Sequence, residues 1–585
     1  MYAIVLSILQ LAALLILAVG VAPAQQARRG TEPNNDTQPP RCITEATFEI
    51  TAQPPVIIAG QSTEVRWHVT LPDNCAAVRI RLDGEDVARN GSRTVTPLRP
   101  TSYNLNISQH RAGSFAALNA YAHVNVDYPD RVVIGPETPS PVDVLIGALQ
   151  TNPVVIEFCV DLDLTGLSLE IGDDTTLIAG PGCARGPLRR GPRIFSTRES
   201  ERAVFVLRGD RILFSGFQFE GPTPYIGDRE ANRERGIQIQ PFDSVCRFNE
   251  AGVEVCEPVP IRDIEICNME IFHWSGAAIE VMDNTSVAER GRLFNTMPNA
   301  VRIRNNYIHH NRHFNGYGYG VAVTNGAYAL IEHNAFNENR HAIMGNAWDG
   351  KKDFSGYTAR ENLILADGGL HCRGWIPDAA VCWQTHQIDM HGTESTLFGG
   401  AGCCGIAGET ILIERNSILY TAGYAIKIRG NPADKAVVDG NIFKHGDREG
   451  AIAQNGNPGW GDNITNPIDV RPNNVFGANT MDRLGTCDFD GDGNPDKFMA
   501  TGVTWWAQSA KTENWRYLNT MIETLSTLQL GDFDNDGRCD VGKGPANPAV
   551  PPGKYSKDGT GPWIPVIAGN EPIRSPIRSR PSPKK

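Results

Sequence analysis

Between about residues 142 and 476 the chain alternates apolar and polar residues in short runs, the period of a strand with one buried face. Val301-Arg302-Ile303-Arg304-Asn305-Asn306, Ala329-Leu330-Ile331-Glu332-His333-Asn334 and Ile411-Leu412-Ile413-Glu414-Arg415-Asn416 share one pattern. Thr358 to Asn362 and Ala436 to Asn441 repeat it. Each run ends in Asn and is followed by another apolar residue. A second series interleaves with the first: Ala278 to Met282, Gly320 to Thr324, Ala342 to Asn346, Gln387 to His391, Ala425 to Arg429 and Ala451 to Asn455. Undisturbed steps are about 22 to 28 residues. Two strand families recurring at this period predict a solenoid, and the longer steps predict inserted loops. The Asn positions suit left-handed bends, and stacked Asn side chains can pair along such a structure.

This repeat resembles the right-handed parallel β-helix of the pectate-lyase-like superfamily, over more than half of the chain. The resemblance implies a fold and leaves the substrate open. Stacking the second series places Ile279, Val321, Ile343, Ile388, Ile426 and Ile452 in one buried column. The adjoining columns then run Glu280, Ala322, Met344, Asp389, Lys427, Ala453 and Met282, Thr324, Asn346, His391, Arg429, Asn455. With rungs about 4.8 Å apart, Asp389, His391, Lys427 and Arg429 share one patch predicted to be exposed. A corner column of Tyr319, His341, His386 and Tyr424 precedes these strands, and Arg340, Tyr317, His371 and Trp383 lie on flanking loops.

Enzymes of that superfamily cleave or epimerise acidic polysaccharides, so the resemblance implies lyase or epimerase chemistry. Such chemistry needs a cation to neutralise the uronate carboxylate and a base to remove the weakly acidic α-proton. Arg429 or Arg340 suits the first role, Lys427, His391 or His386 the second, and a Tyr the acid; Tyr317, Tyr319, Asn346, Trp383 and Tyr424 suit sugar contact. A hydrolase is the alternative, although the adjacent aspartates typical of the superfamily's hydrolases are missing, and Asp389 and Glu280 stand three rungs apart. A non-catalytic glycan-binding or stalk protein is the alternative of another class. The same residues would then form a surface ion-pair network and a packed corner ladder. Alternation sends His386 and His391 to opposite faces, which argues against a metal held by His341, His386 and His391.

The flanking regions read differently. Residues 42–130 alternate in short strands punctuated by Asp83-Gly84 and Asn90-Gly91, the pattern of a β-sandwich. Gly60-Gln61-Ser62, Val65-Arg66-Trp67 and Pro100-Thr101-Ser102-Tyr103 resemble bacterial immunoglobulin-like modules, which implies a spacer or a wall-binding module. Beyond the solenoid (142–478), residues 486–545 hold Asp488-Phe489-Asp490-Gly491-Asp492-Gly493-Asn494-Pro495-Asp496 and Asp532-Phe533-Asp534-Asn535-Asp536-Gly537-Arg538-Cys539-Asp540. Carboxylates at positions 1, 3, 5 and 9 around a glycine gather oxygens for one hard cation. The loops lack the EF-hand's final Glu and resemble FG-GAP calcium loops, with Asp488, Asp490, Asp492, Asp496, Asp532, Asp534, Asp536 and Asp540 as ligands of structural calcium. Trp505, Trp506 and Trp515 are expected to pack between them.

Composition narrows the context. A net charge of -12 argues against nucleic-acid binding. Residues 1–24 read as a secretory signal ending at Ala22-Pro23-Ala24, with an uncleaved membrane anchor as the alternative; 25–41 read as a linker and 546–585 as a disordered basic tail. The expected setting is secreted or cell-surface. The 13 cysteines of an exported chain suggest disulfides. Local pairs are Cys42–Cys75, Cys159–Cys183, Cys246–Cys256, Cys372–Cys382 and Cys487–Cys539, leaving Cys267, Cys403 and Cys404. The expected partner is an extracellular polysaccharide.

Overall fold

The computed structural model describes residues 46–566 apart from 60, 73–74, 76–77, 99–100, 112–113, 152, 181–190, 198–201, 223–234, 241–243, 249–253, 259–260, 283–300, 314–315, 349–352, 374–380, 394–403, 456–463 and 545–551. The leader and linker expectations for 1–41 fall outside these residues. No described helix is long and apolar enough to cross a membrane.

Three long parallel sheets dominate, and each coil of the chain contributes one strand to each. One coil runs through Val301–Arg304, Tyr307–His309 and Tyr319–Thr324; the next through Tyr328–Glu332, Ala335–Asn337 and His341–Trp348. This is consistent with a parallel β-helix solenoid. The two predicted strand families form the first and third sheets. The second sheet was not visible as a family, because its strands are only two or three residues long, too short to show a period. The helix Pro141–Ala148, with Pro at its start, packs Val144, Leu145 and Ala148 against the first strands.

Register in the third sheet follows the apolar positions. Ile279, Val321, Ile343, Ile388, Ile426 and Ile452 pair rung by rung, and Asp389 lies beside Lys427. A one-residue slip would turn every apolar side chain to the wrong face, so the buried column holds the register. The corner between the first and second sheets carries a ladder of Asn306, Asn334, Asn362, Asn416, Asn441 and Asn474. Each Nδ2 donates to the next Oδ1 at 2.9–3.1 Å. The left-handed residue is the one before the ladder Asn, as at Asn305, His333, Glu361 and Arg415. The bend thus frees the following Asn to point into the stack.

In the N-terminal unit, which falls within residues 46–52, 64–93 and 102–122, Val78–Leu82 pairs antiparallel with Glu85–Asp86. Val78–Leu82 pairs with Thr101–Arg111, over a core of Val65, Trp67, Ile80, Leu82, Leu105 and Ile107. After the solenoid the chain forms two four-stranded antiparallel sheets. Cys487 and Cys539 are disulfide-bonded between them, as expected. Cys267 is free and buried. The backbone also sets Cys246 opposite Cys256 and Cys372 opposite Cys382. Two expectations for this region need correction. Residues 554–565 are not tail: Lys554–Ser556 and Trp563–Pro565 complete the second sheet. Of the three tryptophans only Trp505 joins the core between the loops. Trp506 and Trp515 pack against Ala335, Leu363, Leu365 and Ile442 of the solenoid, whose short second-sheet strands leave that face apolar.

Candidate functional site

Asp389 is the centre of a charged cluster on the third sheet, and it is 0% exposed. This overturns the expected exposed patch. The outer face of this sheet is itself packed, with Tyr319, Ala322 and Met344 buried and Tyr317 against them, so alternation separates two interiors rather than inside from outside. A buried carboxylate needs partners, and Asp389 has them. Arg429 donates from Nε to Oδ1 at 3.0 Å and from its terminal nitrogen to Oδ2 at 2.7 Å. The Nε2 atoms of His391, His386 and His341 lie 2.7, 3.1 and 3.6 Å from Oδ2.

His386 stands in the expected corner column, beside Tyr424, but it is not separate from the charged patch. It stands at the corner where the chain enters the sheet, and its ring reaches back to Asp389. The corner ladder is nevertheless real. Tyr319, His341 and His386 stack with interplanar angles of 13° and 20°. His341 Nδ1 lies 2.5 Å from the His386 carbonyl, which can only accept, so Nδ1 carries the proton. Burial holds the His341, His386 and His391 imidazoles below their ordinary range, His386 at about 4. Burial alone would raise the Asp389 carboxyl, but Arg429, His386 and His391 outweigh it and keep the group well below the usual range.

Beside this cluster opens a cleft of about 550 Å³, lined by Arg340, Trp383, His386, Tyr424, Lys427, Arg429 and His445 among others. Arg340 is 5% exposed, bonded to Tyr319 Oη at 3.0 Å and to His371 Nδ1 at 3.1 Å. It pairs with no carboxylate among the described residues. Lys427 makes no hydrogen bond or ion pair among the described residues, and burial followed by Arg429 lowers its pKa. Trp383, stacked on His371 at 4.4 Å across a hairpin, and Tyr424 are large aromatics left 41% and 40% exposed. Tyr317, Tyr319 and Asn346 do not line the cleft, and Tyr319 is buried under Arg340. Asp389, His341 and His391 sit behind it. His445 was missed: it follows a two-residue strand, where no periodicity marks it. Glu280 is occupied by Arg235 and Gln238.

The acidic loops differ from each other. In the first, Asp488 accepts the amides of Gly491 and Gly493 at 2.7 Å, while buried Oδ2 atoms of Asp490 and Asp492 have no hydrogen-bond partner. That arrangement fits a hard cation. In the second, the Lys557 ammonium lies 2.6 Å from Asp534 and 2.7 Å from Asp536. Both oxygens of Asp496 accept backbone amides, those of Phe489 and Ala510, and Asp540 does the same with Phe533 and Asp558. Asp496 and Asp540 thus brace their loops.

No protein family, curated protein or solved structure matches the chain.

Proposed function

We propose that the chain is an exported enzyme acting on an acidic extracellular polysaccharide by β-elimination or epimerisation, on a right-handed β-helix of pectate-lyase-like type. The observation that carries this reading is Arg340, a buried guanidinium at a cleft wall with no carboxylate partner among the described residues. A buried charge without a counter-ion is costly, and a uronate carboxylate would supply one. Arg429, bonded to Asp389 through Nε and one terminal nitrogen, has its other terminal nitrogen for a second contact to the same group.

In this reading the cations stabilise the carbanion formed when the α-proton leaves. His386 Nε2 is taken up by Arg429 at 3.0 Å. Lys427 is therefore the base, and its lowered pKa makes the neutral amine available nearer neutrality. In elimination, the C–H pair becomes the new double bond as the glycosidic C–O bond breaks, and the Tyr424 hydroxyl protonates the departing oxygen. In epimerisation the carbanion is reprotonated on the opposite face. Trp383 and Tyr424 offer rings for sugars to stack on. Calcium at the first acidic loop and an immunoglobulin-like spacer complete the proposal; both are supportive parts outside the chemistry.

The test is incubation with a panel of uronate polysaccharides, following ultraviolet absorbance of the unsaturated product, and solvent-deuterium uptake for epimerisation. Lyase activity abolished by Lys427→Ala is the expected result. No absorbance and no deuterium uptake across the panel would overturn it. Reducing ends released without absorbance would favour hydrolysis.

A further inference from the structure

We infer that His341, Asp389 and His391 form a binding site for one divalent transition ion of the zinc class, behind the cleft and independent of the sugar chemistry. Three observations meet here. One ring nitrogen each of His341 and His391 and a carboxylate oxygen of Asp389 lie within 4.8 Å of one another, and both Nε2 atoms lie within 3.6 Å of Asp389 Oδ2. Both Nε2 atoms are buried and have no hydrogen-bond partner. His391 Nε2 lies 2.7 Å from Asp389 Oδ2 with no hydrogen bond made by that nitrogen, which leaves both atoms close enough to share one ion at a point between them.

The distances suit that point. Donors held about 2.0–2.2 Å from one ion, at tetrahedral to octahedral angles, stand roughly 3.0–3.4 Å apart. The observed 2.7 and 3.6 Å bracket this range, so small rotations suffice. The protonation state is also prepared. His341 Nδ1 donates to the His386 carbonyl, leaving Nε2 as a bare lone pair, and such a backbone acceptor is the usual outer support of a metal-bound imidazole. Stacking between Tyr319 and His386 fixes the ring's plane. Two nitrogens and one carboxylate oxygen select zinc, cobalt or iron over calcium and magnesium, which prefer all-oxygen shells.

Arg429 is the competitor. Its terminal nitrogen occupies Oδ2 at 2.7 Å, whereas its Nε rests on Oδ1. An ion must share or displace the first bond and can leave the second. Affinity is therefore held down by this guanidinium, and its removal should tighten binding.

The experiment uses the full chain, stripped of metal and held in excess calcium so that the acidic loops are saturated. Titration with cobalt(II) should give visible absorption bands of an imidazole-ligated ion at one equivalent per chain. His391→Ala, at the edge of the cluster, should weaken binding by about 100-fold with an unchanged circular dichroism spectrum. Arg429→Gln should strengthen it about tenfold. Because His341→Ala risks the fold, its titration is paired with the thermal midpoint, and His391→Ala remains the deciding variant. Absence of imidazole-type bands in the unmodified chain would overturn the inference, and so would bands that persist in His391→Ala.

Discussion

Two histidine clusters lie on adjacent sheets of the solenoid, and the contrast between them isolates what makes a site. On the second sheet, His309, His273 and His310 each have a carboxylate within reach. His309 pairs with Glu270 at 3.2 Å, His273 with Glu220 at 3.4 Å and His310 with Glu338 at 3.2 Å. Phe272 stacks on His309 at 5.0 Å, and Asn514 of the following sheets donates to Glu270. Each imidazole there has its own carboxylate, with Glu220 and Glu338 also taking Arg193 and Arg312, and the cluster joins structural parts. On the third sheet one carboxylate, bonded to Arg429, faces three imidazoles, while Arg340 and Lys427 have no ion pair among the described residues. Imidazole content is the same. The imbalance between cations and carboxylates is what marks the third-sheet cluster.

The largest expected effect is on stability. Asp389→Asn leaves Arg429 without a counter-ion and should cost about 3–5 kcal/mol, read as a lowered urea midpoint. Glu270→Gln keeps an acceptor and should cost only about 1 kcal/mol. Equal losses would erase the distinction. Next comes activity: once a substrate is found, Arg340→Ala should lower kcat/KM by about 10²–10³-fold with the thermal midpoint held. His310→Ala should leave the rate unchanged.

Acid sensitivity separates the clusters further. Burial holds the His309 imidazole at about 4, against an ordinary value of 6.5, despite the opposing pull of Glu270; His310 and His273 also face it. Between these values the unfolded chain binds more protons than the native one. This group's stabilisation is therefore full above the unfolded value and is lost as pH falls from about 6.5 towards 4. His309→Gln should flatten that part of the stability–pH curve, measured by thermal melts. The smallest effect concerns the acidic loops, where matching of charge again decides. Calcium should raise the thermal midpoint by a few degrees, and Asp490→Asn should abolish most of the rise. Lys557→Ala should add a second, tighter binding event in calorimetry.

Much of the fold was legible because solenoid strands stack apolar residues at a constant interval. Ile388 and Ile426 are neighbours in sequence pattern and in space for the same reason. Asp389 beside Lys427 followed from that register. What misled was the meaning of the polar face. Alternation says that Asp389 points away from Ile388, but not whether water or protein lies there; Arg429 and the His341, His386 and His391 rings occupy that side. His386 has the corner neighbours expected of it, His341 and Tyr424, but parity did not show that its ring also reaches Asp389. His445 and the loop-borne contact between His371 and Arg340 carry no periodic signal at all.

The sequence by itself therefore determined the strands, their register and the columns of side chains, since these follow from local alternation and a regular repeat. It also determined the turn geometry of the acidic loops, where the spacing of the carboxylates is local. Only the tertiary structure decided which columns are buried on both sides, which loops fold over a strand face, and which charges find partners. Those outcomes depend on residues far apart in the chain meeting at one place. Arg340 without a carboxylate, Asp389 held by Arg429 among three imidazoles and Lys557 closing an acidic loop are facts of that kind.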